Sequence, residues 1–209
     1  MPSIYDLKPR FQATLRPATG WLAARGVTAN QVTVAAVLLS LAAGALVATF
    51  PASRAVLLLV PLVLLVRMAL NAIDGMLARE HGMRSRLGAV LNELGDVISD
   101  AGLYLPLALV PGMPAELLIV AVVLGVISEM AGVVGQQIGA DRRYDGPLGK
   151  SDRAFAFGLV ALLLGCGIRG GTWLTGALGV MIALSAVTIF NRSRRALQTS
   201  AGSTPADTT

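Results

Sequence analysis

Charge is what this chain has least of for its length. Of its 209 residues only 14% are charged, while 55% are hydrophobic and the mean hydropathy is +0.69. A soluble domain of this size does not have that balance; a polytopic membrane protein does. Cysteine and histidine each occur once. Cys166 therefore has no disulfide partner within the chain, and in its apolar stretch it reads as inert packing. His81 falls in a polar connection and reads as solvated. There is no internal repeat and no sign of a second domain.

What is present is a succession of apolar stretches of about 20 residues, the length a bilayer core requires. They predict spans near Ala29–Phe50, Arg54–Leu77, Leu87–Val110, Pro114–Ile138, Asp152–Ile168 and Thr172–Phe190. The first begins too late, and is too long, for a cleaved signal peptide. Charge placement supports six. With the N-terminus inside, fourteen of the 17 Lys and Arg residues fall on the cytoplasmic side, against Arg54 and Arg169 outside and Arg67 within a span. The net charge of +5 then reflects membrane topology first and attraction to anionic lipid or phosphate second. Nucleic acid is not an expected partner, because the basic residues are scattered through loops at membrane ends. Ahead of the first span, Ile4, Leu7, Phe11 and Leu15 suit one face of an interfacial helix that ends near Trp21, with Pro9 and Pro17 predicting a short or broken one. Thr28-Ala-Asn30-Gln31 is a helix start. The tail 198–209, rich in Ser, Thr and Ala, is predicted to be disordered.

Polar groups interrupt the apolar pattern where a membrane protein can least accommodate them. Asn71, Asp74 and Ala78 are three and four apart and share a face at the end of the second span. Asn92, Asp96 and Asp100 form a second stripe, each one turn deeper into the third span. The connection between them is short, so the two helices are predicted to be antiparallel neighbours with their stripes close together. Carboxylates in such a place mark a metal, ion or substrate site. An oxygen-rich cluster without His or Cys suits Mg²⁺ or Mn²⁺ and makes zinc and iron poor candidates. Gly75 and Gly88 leave bare backbone where a nucleotide pyrophosphate could approach. Arg79 could hold a phosphate by a two-pronged hydrogen bond.

The spacing Asp74-Gly75, Ala78-Arg79, eight residues, Gly88, three residues, Asn92, three residues, Asp96 resembles the signature of the CDP-alcohol phosphotransferase family, D-x-x-D-G-x-x-A-R-x8-G-x-x-x-D-x-x-x-D. The start of the first span and the Gly149-Lys150 segment resemble it too, and the likeness runs from about Leu7 to Arg195. It implies an all-α membrane domain over residues 1–197, with six transmembrane helices and residues 1–27 as the interfacial segment. It also implies a reaction: an acceptor hydroxyl attacks the β-phosphorus of a CDP-alcohol and CMP leaves. The family resemblance makes CDP-diacylglycerol the expected donor. It suggests a homodimer in a bacterial inner membrane, with the site facing the cytoplasm. By the same resemblance Asn71, Asp74, Asn92 and Asp96 are the metal positions, Asp96 is also the base, and Gly75, Ala78, Arg79 and Gly88 surround the nucleotide.

Two of the four family aspartates are asparagine here, at 71 and 92. An amide oxygen can bind Mg²⁺ but brings no charge. Three readings follow. The site holds a single metal, or a second one weakly; or Glu93 or Asp100 supplies the missing charge, Asp100 being the better placed; or the protein is a weakly active or non-catalytic relative. The retained Asp74, Gly75, Arg79, Gly88 and Asp96 argue against decay. Glu129, mid-span, is either a buried partner of Arg67 or part of an acceptor site. Lys150 and Arg153 would clamp a phosphate at the mouth, ahead of Arg142 and Arg143. Tyr144 and Asp152 are weaker candidates for the same pocket. Glycerol 3-phosphate, inositol phosphate, serine, phosphatidylglycerol and simple polyols all remain candidate acceptors. An ion-coupled transporter is the competing class, but it predicts inverted repeats and broken helices, and the sequence has neither.

Overall fold

In a computed structural model the described residues, 4–140 and 145–200, form seven α-helices and no strand. The expectations placed on Arg142, Arg143, Tyr144 and the last nine residues of the tail lie outside the described residues, as do those on the side chains of Ile4 and Leu7. The helices are α1 (Ile4–Ala24), α2 (Ala29–Thr49), α3 (Arg54–Glu80), α4 (Arg86–Tyr104), α5 (Ala115–Gln137), α6 (Lys150–Gly165) and α7 (Thr172–Ser200); a 3₁₀ segment, Leu105–Leu109, prolongs α4. Their starts follow local chemistry. The Gln31 N–H donates to Thr28 Oγ1 and the Thr28 N–H to Gln31 Oε1, a reciprocal cap on α2. Ser85 Oγ accepts from the Gly88 N–H at α4, and Asp152 accepts from the Gly149 N–H at α6. Asp152 is thus a cap.

Among the described residues four helices, α2, α3, α5 and α7, qualify as membrane spans by length and composition alone; the other two expected spans fall on α4 and α6. α4 falls short because it carries the acidic stripe. α6 has 16 residues, about 24 Å at 1.5 Å per residue. α1 is one helix of 21 residues despite Pro9 and Pro17. It is held along α3, where Arg16 pairs with Glu80 at 3.0 Å and Leu15 and Leu22 pack near Ile73 and Leu77. α7 runs ten residues past Phe190, so the tail expected to be disordered from 198 is helical to Ser200. Cys166 is exposed just past α6 rather than packed inside.

The bundle has two unlike ends. One is a continuous apolar core of Ala43 and Val47 (α2), Leu57 and Val60 (α3), Leu103 and Tyr104 (α4), Leu118 and Val122 (α5), Phe157 and Val160 (α6), and Leu174 and Leu178 (α7). The Tyr104 and Phe157 rings stack there with centroids 4.3 Å apart. At the other end the same helices carry the polar residues. α2 lies against both α3 and α4, α5 against α7, and α6 against α3.

Close approach of α2 and α4 requires a missing side chain. A Cβ on Gly44 would sit 1.9 Å from the Gly102 carbonyl oxygen, a backbone atom that cannot swing away. Gly44→Ala is therefore expected to force the two helices apart, with a loss of about 1–3 kcal/mol or more. Thermal unfolding of the purified protein in detergent checks this; an unchanged midpoint would mean that the contact is not a constraint.

Candidate active site

The last turns of α3, the first half of α4, the start of α6 and the C-terminal halves of α5 and α7 meet at the polar end. Asp74 is buried on α3 and accepts a hydrogen bond from Thr33 Oγ1 of α2 at 2.9 Å. The Lys150 ammonium is ion-paired with Asp96 Oδ1. The two motif stripes come near each other, since Asp74 and Asn92 line one cavity and Arg67 of α3 reaches Asp96, but α3 and α4 are not the packed neighbours expected: each packs against α2 instead.

A cavity of about 470 Å³ opens beside Asp74 and is lined by Gly75, Ala78, Arg79, Gly88, Asn92 and Glu93, with Asn30 and Thr33 from α2. Five of the positions assigned to donor and metal by resemblance therefore share one chamber with Asp74. The two glycines serve differently from the expectation of bare backbone for a ligand. A Cβ on Gly75 would lie 3.0 Å from Arg79 Nη2, so this glycine lets the guanidinium fold back over the helix. A Cβ on Gly88 would lie 2.7 Å from Asn30 Oδ1 and 3.0 Å from the Ser85 cap. Asn71 faces elsewhere. With Arg67, Asp100 and Lys150 it heads a second cavity of about 500 Å³ between α3 and α6, whose walls are apolar (Pro61, Leu64, Leu65, Phe155, Leu159).

Deeper in, charges alternate through the bundle. Arg67 Nη2 donates to the Asp96 carbonyl at 3.2 Å and lies 3.9 Å from its carboxylate, while Arg67 Nη1 is 2.6 Å from Asp100 Oδ1. Asp100 Oδ2 is 3.4 Å from Arg153 Nη2, which is 2.8 Å from Glu129 Oε1. Glu129 Oε2 is 3.4 Å from Arg192 Nη1. Arg153 also donates to Ser128 Oγ, and Arg192 to the carbonyls of Ser128 and Asp145.

Two expectations change here. Glu129 pairs with Arg153 and Arg192, and Arg67 takes Asp100 of α4 instead. Asp100 carries an arginine on each oxygen, so its charge serves the arginines. Arg192, counted by sequence reasoning only toward topology, was missed as a site residue. Its signal was the buried stripe Ser185, Thr188, Arg192, polar residues at helical spacing on α7. Thr33 was missed as a partner of Asp74.

Among the described residues no three His, Cys, Asp or Glu side chains gather as a metal-holding group. Of the four motif positions the structure brings Asp74 and Asn92 to one chamber; Asn71 opens on the other cavity, and a lysine ammonium already lies on Asp96. The donors present are all oxygen, the kind that a hard divalent cation such as Mg²⁺ or Mn²⁺ takes.

Fold and composition define an integral-membrane helical protein with facing carboxylates at one end of the bundle. The family model described as CDP-alcohol phosphatidyltransferase matches residues 26–190, and the chain belongs to that family. It is 45% identical over 199 residues to the inner membrane protein YnbA of Escherichia coli (strain K12), covering 95% of this chain and 98% of that protein. Its fold is similar to that of Mycobacterium tuberculosis phosphatidylinositol phosphate synthase (PgsA1). The crystal structure of PgsA1 with CDP-DAG bound gives a TM-score of 0.73 at 20% identity, covering 86% of this chain and 92% of that one. The complex with manganese and citrate gives 0.72 at 20% identity, covering 91% and 90%.

Breaking a buried ion pair from one side leaves an uncompensated charge. Asp100→Asn is therefore expected to cost the metal-free protein roughly 3 kcal/mol, read as a lower unfolding midpoint in detergent with a chelator present. An Asp100 that served only a metal would leave that midpoint where it is.

Proposed function

We propose that this protein transfers a substituted phosphate, most naturally phosphatidyl, from a CDP-alcohol to an acceptor hydroxyl and releases CMP. The observation that carries this reading is the chamber into which α3 brings Asp74, Gly75, Ala78 and Arg79 and α4 brings Gly88 and Asn92, with Asp96 one turn beyond Asn92. Family membership supports the reaction class. The CDP-DAG bound to PgsA1 supports CDP-diacylglycerol as donor, and its manganese complex supports a divalent cation.

In this reading Asp74, Asn92 and Asp96 would hold Mg²⁺ or Mn²⁺, while Asn71, assigned to the metal by resemblance, opens on the other cavity. The ion, when bound, neutralises charge on the pyrophosphate and the departing CMP. Arg79 grips a phosphate from the open side, held over Gly75. Asn30 and Gly88 close the nucleotide end. Asp96 takes the proton of the acceptor hydroxyl as its oxygen bonds to the β-phosphorus; the bond from that phosphorus to the CMP oxygen breaks, and the electron pair leaves with CMP. Lys150 and Arg67 hold Asp96 in place through their ion pairs, and Thr33 holds Asp74 through its hydrogen bond. Asp100, Arg153 and Glu129 form the inner wall on the acceptor side.

Residues 1–197 act as one domain. α4 with its 3₁₀ extension and α6 complete six crossings, α1 lies in the interface, and the site faces the cytoplasm, where 14 of the 17 cationic residues are placed by the positive-inside rule. The relative's name supports an inner-membrane location. A homodimer is part of the same reading. Asn71 and Asn92 favour one alternative, a non-catalytic binder of CDP-lipid, which predicts binding without CMP release.

Purified protein with CDP-diacylglycerol and Mn²⁺ or Mg²⁺ is expected to release CMP in an acceptor-dependent way, and to stop on chelation. Asp96→Asn should lower the rate by about 10²–10⁴-fold, and Asp74→Ala should bring it to background. Full activity in either variant would defeat the assignment.

A further inference from the structure

The candidate acceptors are of two chemical kinds. Glycerol 3-phosphate and inositol phosphate carry a phosphate monoester, about −1.5 to −2 in charge at neutral pH; serine and simple polyols do not. A protein that binds the first kind in a low-dielectric bundle needs cations that are unengaged and within reach. The cations at the polar end fall into two groups. Arg79 and Arg84 are exposed and line the 470 Å³ chamber, and among the described residues neither has a carboxylate partner. That chamber holds the donor, whose pyrophosphate needs them.

On the other side of Asp96 the described cations that line the cavities, Lys150, Arg67 and Arg153, are matched, and so is the buried Arg192. Lys150 pairs with Asp96, and Arg67 with Asp100 and Asp96. Arg153 and Arg192 are each only 2% exposed and share Glu129, which presents one oxygen to each of them. That is how a bound phosphate would meet two guanidinium groups. The space beside them, lined by Asp100, Glu129 and Arg153, is about 10 Å³, room for one water and no more. A phosphate could be seated there only by expelling Glu129 from both pairs. The roomier cavity between α3 and α6 has apolar walls and a head of Asn71, Arg67, Asp100 and Lys150, whose two cations are already paired to Asp100 and Asp96, so that it suits hydroxyl or amine groups.

We propose that the acceptor is an alcohol without a phosphate group, and that Glu129 enforces this by occupying the anion seat between Arg153 and Arg192. The inference rests on the transferase reading above and narrows its substrate class. Glu129 is then a specificity-determining residue, an internal counter-ion in the place of a ligand's charge.

The test uses matched acceptor pairs (glycerol with glycerol 3-phosphate, inositol with inositol 1-phosphate, serine with phosphoserine) in the CMP-release assay with CDP-diacylglycerol and Mn²⁺. The wild type is expected to use at least one unphosphorylated member about tenfold or more faster than its phosphate ester. Glu129→Gln, which keeps the volume and removes the charge, should narrow that ratio. Glu129→Ala leaves a vacant seat between two arginines. With CDP-diacylglycerol present to engage Arg79 and Arg84, inositol 1-phosphate should raise its unfolding midpoint and leave that of the wild type unmoved. Equal or faster use of phosphate esters by the wild type would overturn the inference while leaving the transferase intact. So would a wild-type ratio and an ester-insensitive midpoint in folded Glu129 variants. No CMP with any acceptor, despite bound CDP-diacylglycerol, would instead defeat the transferase reading and this inference with it.

Discussion

Arginine side chains inside an apolar bundle need carboxylates within reach, because neither lipid nor packed hydrocarbon can solvate them. Arg67, Arg153 and Arg192 are all nearly inaccessible, and their needs are met by a chain of alternating charge from Asp96 through Asp100 to Glu129. The chain touches α3, α4, α5, α6 and α7 in turn. Each arginine bridges different helices, so displacing one helix would strand a charge on another. The relative placement of five helices at the polar end is tied to this network, and with it the aim of Asp96. The loop before α6 is secured by the same means: Arg192 donates to the Asp145 carbonyl, Arg195 pairs with the Asp145 carboxylate, and the Leu148 N–H donates to Thr188 Oγ1.

The opposite end supplies the rigidity that such a network needs. Apolar side chains from α2 to α7 close-pack there, and the contact of Gly44 with Gly102 brings α2 and α4 to backbone distance. Held so at one end, α2 carries Asn30 and Thr33 to the donor chamber and α3 carries Asp74 and Arg79. The site is therefore a product of helix ends that cannot drift independently. Among the described residues lining the two large cavities, the unmatched cations lie in the 470 Å³ chamber and the paired ones in the other, the segregation on which the proposed substrate preference rests.

Much of this was legible along the chain. The helix start at Thr28 was, because its side chain and that of Gln31 act on adjacent backbone; the caps at Ser85 and Asp152 use the same local chemistry and went unread. Helical spacing placed Asp74 and Asp96 on their faces, but the short connection did not make α3 and α4 packed neighbours, because α2 packs against both. The number of membrane-crossing helices was less legible, because the acidic stripe of α4 and the shortness of α6 blur the apolar signal that length alone suggests. The continuity of α1 through two prolines and the extension of α7 to Ser200 were not legible either. Both helices have contacts with remote segments that local propensity does not contain: Arg16 with Glu80, and Arg192 with Ser128 and Asp145.

The sequence by itself determined which residues share a helix face, since a period of 3.6 residues places them there whatever surrounds the helix. That was enough to define the membrane class, the motif and most of the α3 and α4 residues that line the 470 Å³ chamber. Only the tertiary structure decided which buried charge meets which. Glu129 had three arginines as eligible partners, and the choice depends on distances between segments tens of residues apart. The packing of α5 against α7 and of α6 against α3 gave Glu129 to Arg153 and Arg192, and left Asp100 to Arg67 and Arg153.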